Sequence, residues 1–277
     1  MSDLADFTRL AVTLEPWRHQ IVFVGGWAYR LYRYEPRAYT PEYEAVFTQD
    51  ADVAYKEREA LEGNLKEALI GAGFEEKLNG DFKPPAARYT LGDEANGFYA
   101  EFLTPLSGSG KKRNKQTGEF EEDATVVNGG VIAQKLRYLE VLLHAPWVVN
   151  IPAAESGINE EVAGLRIPNP VSFIIQKLLI RDRRAADKRP QDVLYIHDAI
   201  ELFGASIDEL APIWKDLEAT LTGKQRRLVS DGVAELFSEV NDTLREAAII
   251  PSDRQPDPED MLKLCQFGFG KIFDMKS

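Results

Sequence analysis

The stretch IVFVGGWAYRL (21–31), followed by TQDADVAY (48–55), decides how this chain folds. IVFV is an apolar run rich in β-branched residues, and it reads as a buried strand. Gly25-Gly26 ends the run, and WAYRLYRY (27–34) resumes a helical pattern. Glycines between a strand and a helix let backbone N–H groups approach a phosphate, aided by the positive end of the helix. The same pair also serves a tight turn that binds nothing. The dinucleotide-binding spacing G-x-G-x-x-G is absent, because GGWAYR lacks the later glycines, and so is the P-loop pattern. In DADVAY (50–55) acidic and apolar residues alternate. Residues two apart in a strand share a face, so Asp50 and Asp52 point the same way. Two parallel carboxylates repel each other. A divalent cation that prefers oxygen, such as magnesium, relieves the repulsion, and solvent at a sheet edge is the other way out.

Working outward, residues 3–17 and 57–73 carry apolar residues at helical spacing. ARYTL (87–91) and GFYAEFLTPL (97–106) read as strands joined by the turn GDEANG. Glu101 sits inside the second of them, where an acid faces either solvent or a site. Three carboxylates, Asp50, Asp52 and Glu101, from neighbouring strands would hold two magnesium ions for nucleotidyl or phosphoryl transfer, one on a triphosphate and one activating an acceptor hydroxyl. Residues 107–123 have the composition of an exposed loop; its KKRNK (111–115) is either solvated or touches an acidic acceptor such as RNA. YLEVLL (138–143) and WVVNIP (147–152) read as short strands, and LRIPNP (165–170) as the last extended piece.

After Pro170 the periodicity turns helical through residue 249. Ser206 with Glu209 has the form of a capping box, and Asp257-Pro258 starts a last helix. The expected fold is therefore a mixed α/β domain over 1–168 followed by an all-α domain over 169–277.

Taken together, VFVGGWAYRL and TQDADVAY resemble the nucleotidyltransferase superfamily of the DNA polymerase beta type. The shared pattern is an apolar strand, a Gly-Gly or Gly-Ser turn, a helix, then Asp-x-Asp on the next strand. The GGWA form, with Thr48 ahead of the acids, is similar to the bacterial branch that holds AbiE-type toxin nucleotidyltransferases. The resemblance implies NTP as substrate, magnesium on Asp50 and Asp52, and a carboxylate on a later strand, for which Glu101 is the match. It departs in having Glu there and in the long interval from Gly26 to Asp50. In the second half, PNPVSFIIQKLLIRDRRAADKRPQDVLYIHDAI (168–200) matches that branch's proline-led helix and basic turn. This implies Lys177 and Lys188 as nucleotide ligands beside Gly25, Gly26 and Thr48, with Asp192 orienting Lys188. Arg183 and Arg184 read as a solvated charge run. The implied activity moves an NMP from NTP to an acceptor hydroxyl on RNA, protein or a small molecule. A toxin paired with an antitoxin protein is one form of it, and a catalytically inactive nucleotide-binding or protein-interaction module on the same fold is the alternative.

Composition narrows the field. The formal net charge is -12, which disfavours broad binding to nucleic acid phosphates. The single cysteine, Cys265, excludes an intrachain disulfide and a four-cysteine zinc site. His19, His144 and His197 have no zinc-protease spacing, and His197 reads as a packed or helix-surface histidine. Trp27 is core or lies near a nucleotide base. No signal-peptide pattern or membrane-length apolar run occurs, so the expectation is a cytoplasmic protein with no membrane partner.

Overall fold

The computed structural model describes residues 3–56, 59–80, 85–92, 97–113 and 120–273. The chain divides into two compact units: Met1–Ala28 with Phe47–Ile167, and Tyr29–Val46 with Pro168–Ser277.

The first unit is built on a seven-stranded mixed sheet. Helix α1 (Asp3–Thr13) precedes strand β1 (Ile21–Val24), which runs directly into α2 (Gly25–Leu31). Then come β2 (Asp50–Tyr55), α3 (Leu65–Gly71), β3 (Glu75–Asn79), β4 (Ala86–Leu91) and β5 (Phe98–Pro105). A small hairpin of β6 (Lys111–Arg113) and β7 (Phe120–Glu122) stands apart from the sheet, and β8 (Thr125–Asn128) and β9 (Val131–Leu136) rejoin it. A one-turn helix α4 (Leu139–Leu142) leads to the two-stranded ribbon of β10 (Trp147–Ile151) and β11 (Val162–Ile167).

Strand β1 pairs antiparallel with β2, and β2 pairs parallel with β5. The far edge of β5 is shared: β4 lies along Phe98–Glu101 and β9 along Phe102–Pro105. The core is made by the alternation of each strand. In β2, Ala51 and Val53 are fully buried while Asp50 and Asp52 are half-buried; in β5, Ala100 and Phe102 are buried while Tyr99 and Glu101 are not. The apolar stripe of Phe7, Leu10 and Ala11 on α1, with Leu14 just past its end, is fully buried. Phe7 stacks on Trp27 at 4.0 Å between ring centroids and meets Phe23 edge-on at 5.0 Å. Each such ring removed from water contributes about 1.5–3 kcal/mol. Trp27 is thus a core residue.

Three local expectations in this first unit need correction. YLEVLL is not a strand: Leu139–Leu142 form one helical turn, entered through Tyr138 at φ 64. A six-residue run with one acid, Glu140, fits both periods, and its buried Leu139, Val141 and Leu142 do not choose between them. The helix expected over 57–73 is limited to Leu65–Gly71, started by the Asn64 side chain accepting from Glu67 N–H, with residues 57–58 outside the described residues. The 107–123 loop contains the β6–β7 hairpin; its residues 114–119, including the end of KKRNK, and residues 93–96 of the turn GDEANG also lie outside the described residues.

Past Pro170 the second unit is helical: α5 (Pro170–Ile180), α6 (Arg189–Leu202), α7 (Leu210–Thr220), α8 (Gly223–Phe237), α9 (Asp242–Ala248) and α10 (Pro258–Phe273). Asn169 Oδ1 accepts from Ser172 N–H at 2.8 Å, and Pro170 takes the first turn, where its missing N–H costs nothing. Ser206 and Glu209 do not form a capping box; they lie in a 3-10 helix, and the Ser206 hydroxyl bonds the Phe203 carbonyl at 3.3 Å. The box is instead Thr222 with Gln225, opening α8. Tyr32 fits between Phe173 and Phe203, edge-on to both, and donates to the Pro168 carbonyl at 3.0 Å. Among the described residues no helix is long and apolar enough to cross a membrane.

Candidate active site

The acidic face of the sheet follows from register. Parallel pairing sets Asp52 beside Glu101 and Asp50 beside Tyr99, so all four side chains leave the same face. Antiparallel pairing sets Arg88 of β4 on the other flank of Glu101. On the β1 side, Val24 is opposite Asp52, and the chain turns into α2 at the next residue.

That turn requires glycine. Gly25 adopts φ +65, and a Cβ there would land on the Asp52 carboxylate. At Gly26 a Cβ would lie 2.9 Å from Thr48 Cγ2. The Gly25-Gly26 backbone therefore lies directly against Asp52 and Thr48. The Thr48 hydroxyl in turn donates to Asp50 Oδ1. Gly25, Gly26, Thr48, Asp50 and Asp52 thus form one contiguous surface, with Glu101 next to it on β5.

Replacing Gly25 by Ala should reduce stability beyond the backbone cost of about 1–2 kcal/mol for a left-handed non-glycine residue. Gly92→Ala is the control, since Gly92 is at φ +89 with nothing among the described residues within 4 Å of an added Cβ. Melting curves should show the larger drop for Gly25→Ala. Equal drops would mean that Asp52 yields freely and that the close approach has no consequence.

Charges on this face are partly neutralised by the chain itself. Arg88 Nε donates to Glu101 Oε1 at 2.5 Å, and its guanidinium lies 4.8 Å from the Tyr99 ring centroid. The hydrogen bond to Glu101 raises the pKa of Arg88 against the opposing effect of burial, with the charges of Glu101 and Asp50 adding to the rise. The Tyr99 phenol is pushed up by burial and then by the neighbouring Asp50 charge. Arg88 is a member of this face that the sequence does not single out. An Arg in ARYTL signals nothing until the β4–β5 register places it opposite Glu101.

The donor set suits magnesium. Asp50 and Asp52 offer carboxylate oxygens on one face, and the glycine backbone leaves open the space that a Cβ would fill. Their ligand atoms do not close with Glu101 into one tight group. Among the described residues the group of three metal-capable side chains with ligand atoms all within 4.8 Å is His197, Asp198 and Glu201 in the helical unit.

The basic candidates lie in the helical unit. Lys177 is buried on α5; its Nζ donates to Asp192 Oδ1 at 2.6 Å and lies 5.3 and 5.4 Å from the ring centroids of Phe173 and Tyr195. The other carboxylate oxygen of Asp192 accepts from Arg184 Nε at 2.9 Å. Asp192 therefore orients Lys177 and Arg184 rather than Lys188, the partner that the resemblance implies, and Arg184 is ion-paired rather than part of a solvated charge run. Lys188 is exposed at the end of a short 3-10 turn.

A family model described as nucleotidyltransferase matches residues 3–218. No curated protein and no solved structure matches the chain.

Proposed function

The chain belongs to the nucleotidyltransferase family, and on that premise we propose that it moves an NMP from NTP to an acceptor hydroxyl with a divalent cation held by Asp50 and Asp52. The observation that carries this reading is the contiguous surface of Gly25, Gly26, Thr48, Asp50 and Asp52, with Glu101 in register beside Asp52. In the transfer the acceptor oxygen bonds to the α-phosphorus, the bond to pyrophosphate breaks, and the hydroxyl proton passes to water. Magnesium, when bound, supplies charge neutralisation on the triphosphate and acidifies the acceptor hydroxyl.

The chain's own residues have the following parts. Asp50 and Asp52 hold the cation, and Thr48 fixes the rotamer of Asp50 through its hydroxyl. The backbone N–H groups of Gly25 and Gly26 face phosphate oxygens, which no side chain there would permit. Glu101 is the third carboxylate, and Arg88 exchanges its bond to Glu101 for one to a phosphate. Lys177 and Lys188 provide cations for the triphosphate, with Asp192 holding Lys177 in place. RNA, a protein and a small molecule all present suitable hydroxyls, and a cytoplasmic toxin restrained by an antitoxin is one form of the same chemistry.

The Arg88–Glu101 pair favours a second reading, in which Glu101 is permanently neutralised and the fold binds nucleotide without turning it over. Incubation with each α-labelled NTP, magnesium and a cell lysate separates the two. A labelled macromolecule or metabolite, lost on chelation, is the expected result. Saturable NTP binding with no label transferred and no pyrophosphate released would establish the second reading instead.

A further inference from the structure

Helix α6 is buried on nearly all sides, so its polar residues have to find partners inside the unit. His197 and Asp198 do so together. His197 Nδ1 lies 2.8 Å from Asp198 Oδ1. Asp198 Oδ2 accepts from the Tyr29 hydroxyl at 2.6 Å and from Arg254 Nη2 at 2.5 Å. Burial disfavours the Asp198 charge, but the bonds from His197 and Arg254 outweigh it and hold the carboxyl below its ordinary range. One helical turn on, Glu201 Oε2 accepts from the Tyr43 hydroxyl and, at 3.5 Å, from Arg254 Nη1.

This clustering is not a metal centre, because the cation position is taken. Both oxygens of Asp198 are engaged, and the Arg254 guanidinium bridges Asp198 and Glu201 while stacking 3.5 Å from the Tyr43 ring centroid. What the cluster does is orient His197. A neutral imidazole that donates Nδ1–H to a carboxylate keeps an acceptor lone pair on Nε2. The His197 side chain is 5% exposed, yet it lines a cavity of about 430 Å³, and its Nε2 takes no hydrogen bond among the described residues.

The remaining walls of that cavity determine what fits. Glu201, Asp257 and Asp260 (the last paired with Lys263) line it, Arg254 is the one cation among the described lining residues, and Tyr43 and Met261 add apolar surface. Arg254 is already committed to Asp198 and Glu201. Glu201 Oε1 accepts no hydrogen bond among the described residues. The cavity is therefore rich in acceptors and negative charge around a short apolar wall. We infer that this cavity between α6 and the start of α10 binds a small organic amine, whose ammonium group donates to His197 Nε2 and Glu201. The site stands independently of the transfer chemistry proposed above.

The chain has three histidines, His19, His144 and His197, so imidazole nitrogen signals in a ¹⁵N-labelled full-length sample can be assigned one by one. Assignment uses His197→Gln, or His19→Gln and His144→Gln by elimination if the first variant does not fold. The sample is titrated at constant pH with 1,4-diaminobutane, with butane-1,4-diol and with zinc chloride. The diamine should move the His197 signals saturably and leave His19 and His144 in place, while the diol moves none. Glu201→Gln should weaken the diamine about tenfold, the loss of one charge-assisted hydrogen bond. The inference is overturned if the diamine leaves His197 unmoved, if the diol acts equally, if all three histidines shift together, or if zinc alone moves His197.

Discussion

Asp50→Asn and Asp52→Asn should each lower NMP transfer by about a thousandfold or more, the scale on which a pre-organised electrostatic contact to a transition state is lost. Both substitutions remove a charge at constant shape. In Asp50→Asn the amide oxygen would still accept from the Thr48 hydroxyl, and in Asp52→Asn the amide would still fill the space beside Gly25. Melting temperatures should therefore hold or rise, because the two carboxylates no longer repel across one strand face. Glu101→Gln tests a different point. It weakens the grip on Arg88 Nε and removes the third carboxylate, so transfer should fall as for Asp50→Asn if Glu101 holds metal. Magnesium-dependent release of pyrophosphate by the three single variants, beside their melting curves, is the measurement. Full activity in Asp50→Asn would end the catalytic reading. Full activity in Glu101→Gln alone would remove only that residue from the ligand set.

The largest effect on stability should come from Asp192. Side-chain exposure is 6% for Lys177 and 8% for Asp192, so the pair is buried, and Arg184 closes the other carboxylate oxygen. Asp192→Ala leaves the Lys177 ammonium uncompensated among Phe173 and Tyr195, a loss of about 3–5 kcal/mol. In a chain of this size that lowers the melting temperature by about 5–9 °C. Lys177→Met should cost less, because Arg184 continues to neutralise Asp192. Measured well below melting, Lys177→Met should weaken NTP binding more than Arg183→Ala, since Arg183 is exposed. A melting temperature unchanged in Asp192→Ala would show that water reaches Lys177 and that the pair is not desolvated. Equal NTP affinities for Lys177→Met and Arg183→Ala would remove Lys177 from the nucleotide site.

The parts of the fold that are legible in the sequence are those in which one local rule dominates. A β-branched run into two glycines has few conformational solutions, and the alternation of DADVAY fixes its face without knowledge of its neighbours. The helical second half announces itself through Asn169-Pro170 and sustained periodicity. The strand β3, EEKLN, is not legible because almost none of it is buried, so no pattern of apolar residues marks it. The β8–β9 hairpin does carry a signal, Asn128-Gly129-Gly130 between two apolar runs, but those runs are too short to stand out beside the longer strands. The site divides in the same way. Asp50, Asp52 and the glycines are neighbours through adjacent segments, whereas Arg88 joins them only through strand register. Likewise His197 acquires a role only when its neighbour Asp198 meets Tyr29 and Arg254, residues far from it in the chain whose meeting no spacing rule foretells.

Tyr29–Val46 packs with Pro168–Ser277 although the residues on either side of it belong to the sheet unit. During synthesis this has a temporal meaning. The hydroxyl of Tyr29 bonds a residue 169 positions later, and that of Tyr32 a carbonyl 136 positions later. The sheet strands emerge from the ribosome while these two tyrosines have nothing to pack against. At about 5–20 residues added per second, the wait lasts on the order of ten seconds. Over that interval a partly apolar segment is held open as a loop whose closure entropy is settled only when α5 and α6 arrive. The vulnerable moment in the life of this chain is thus its birth, when a chaperone or a protease meets residues 29–46 bare.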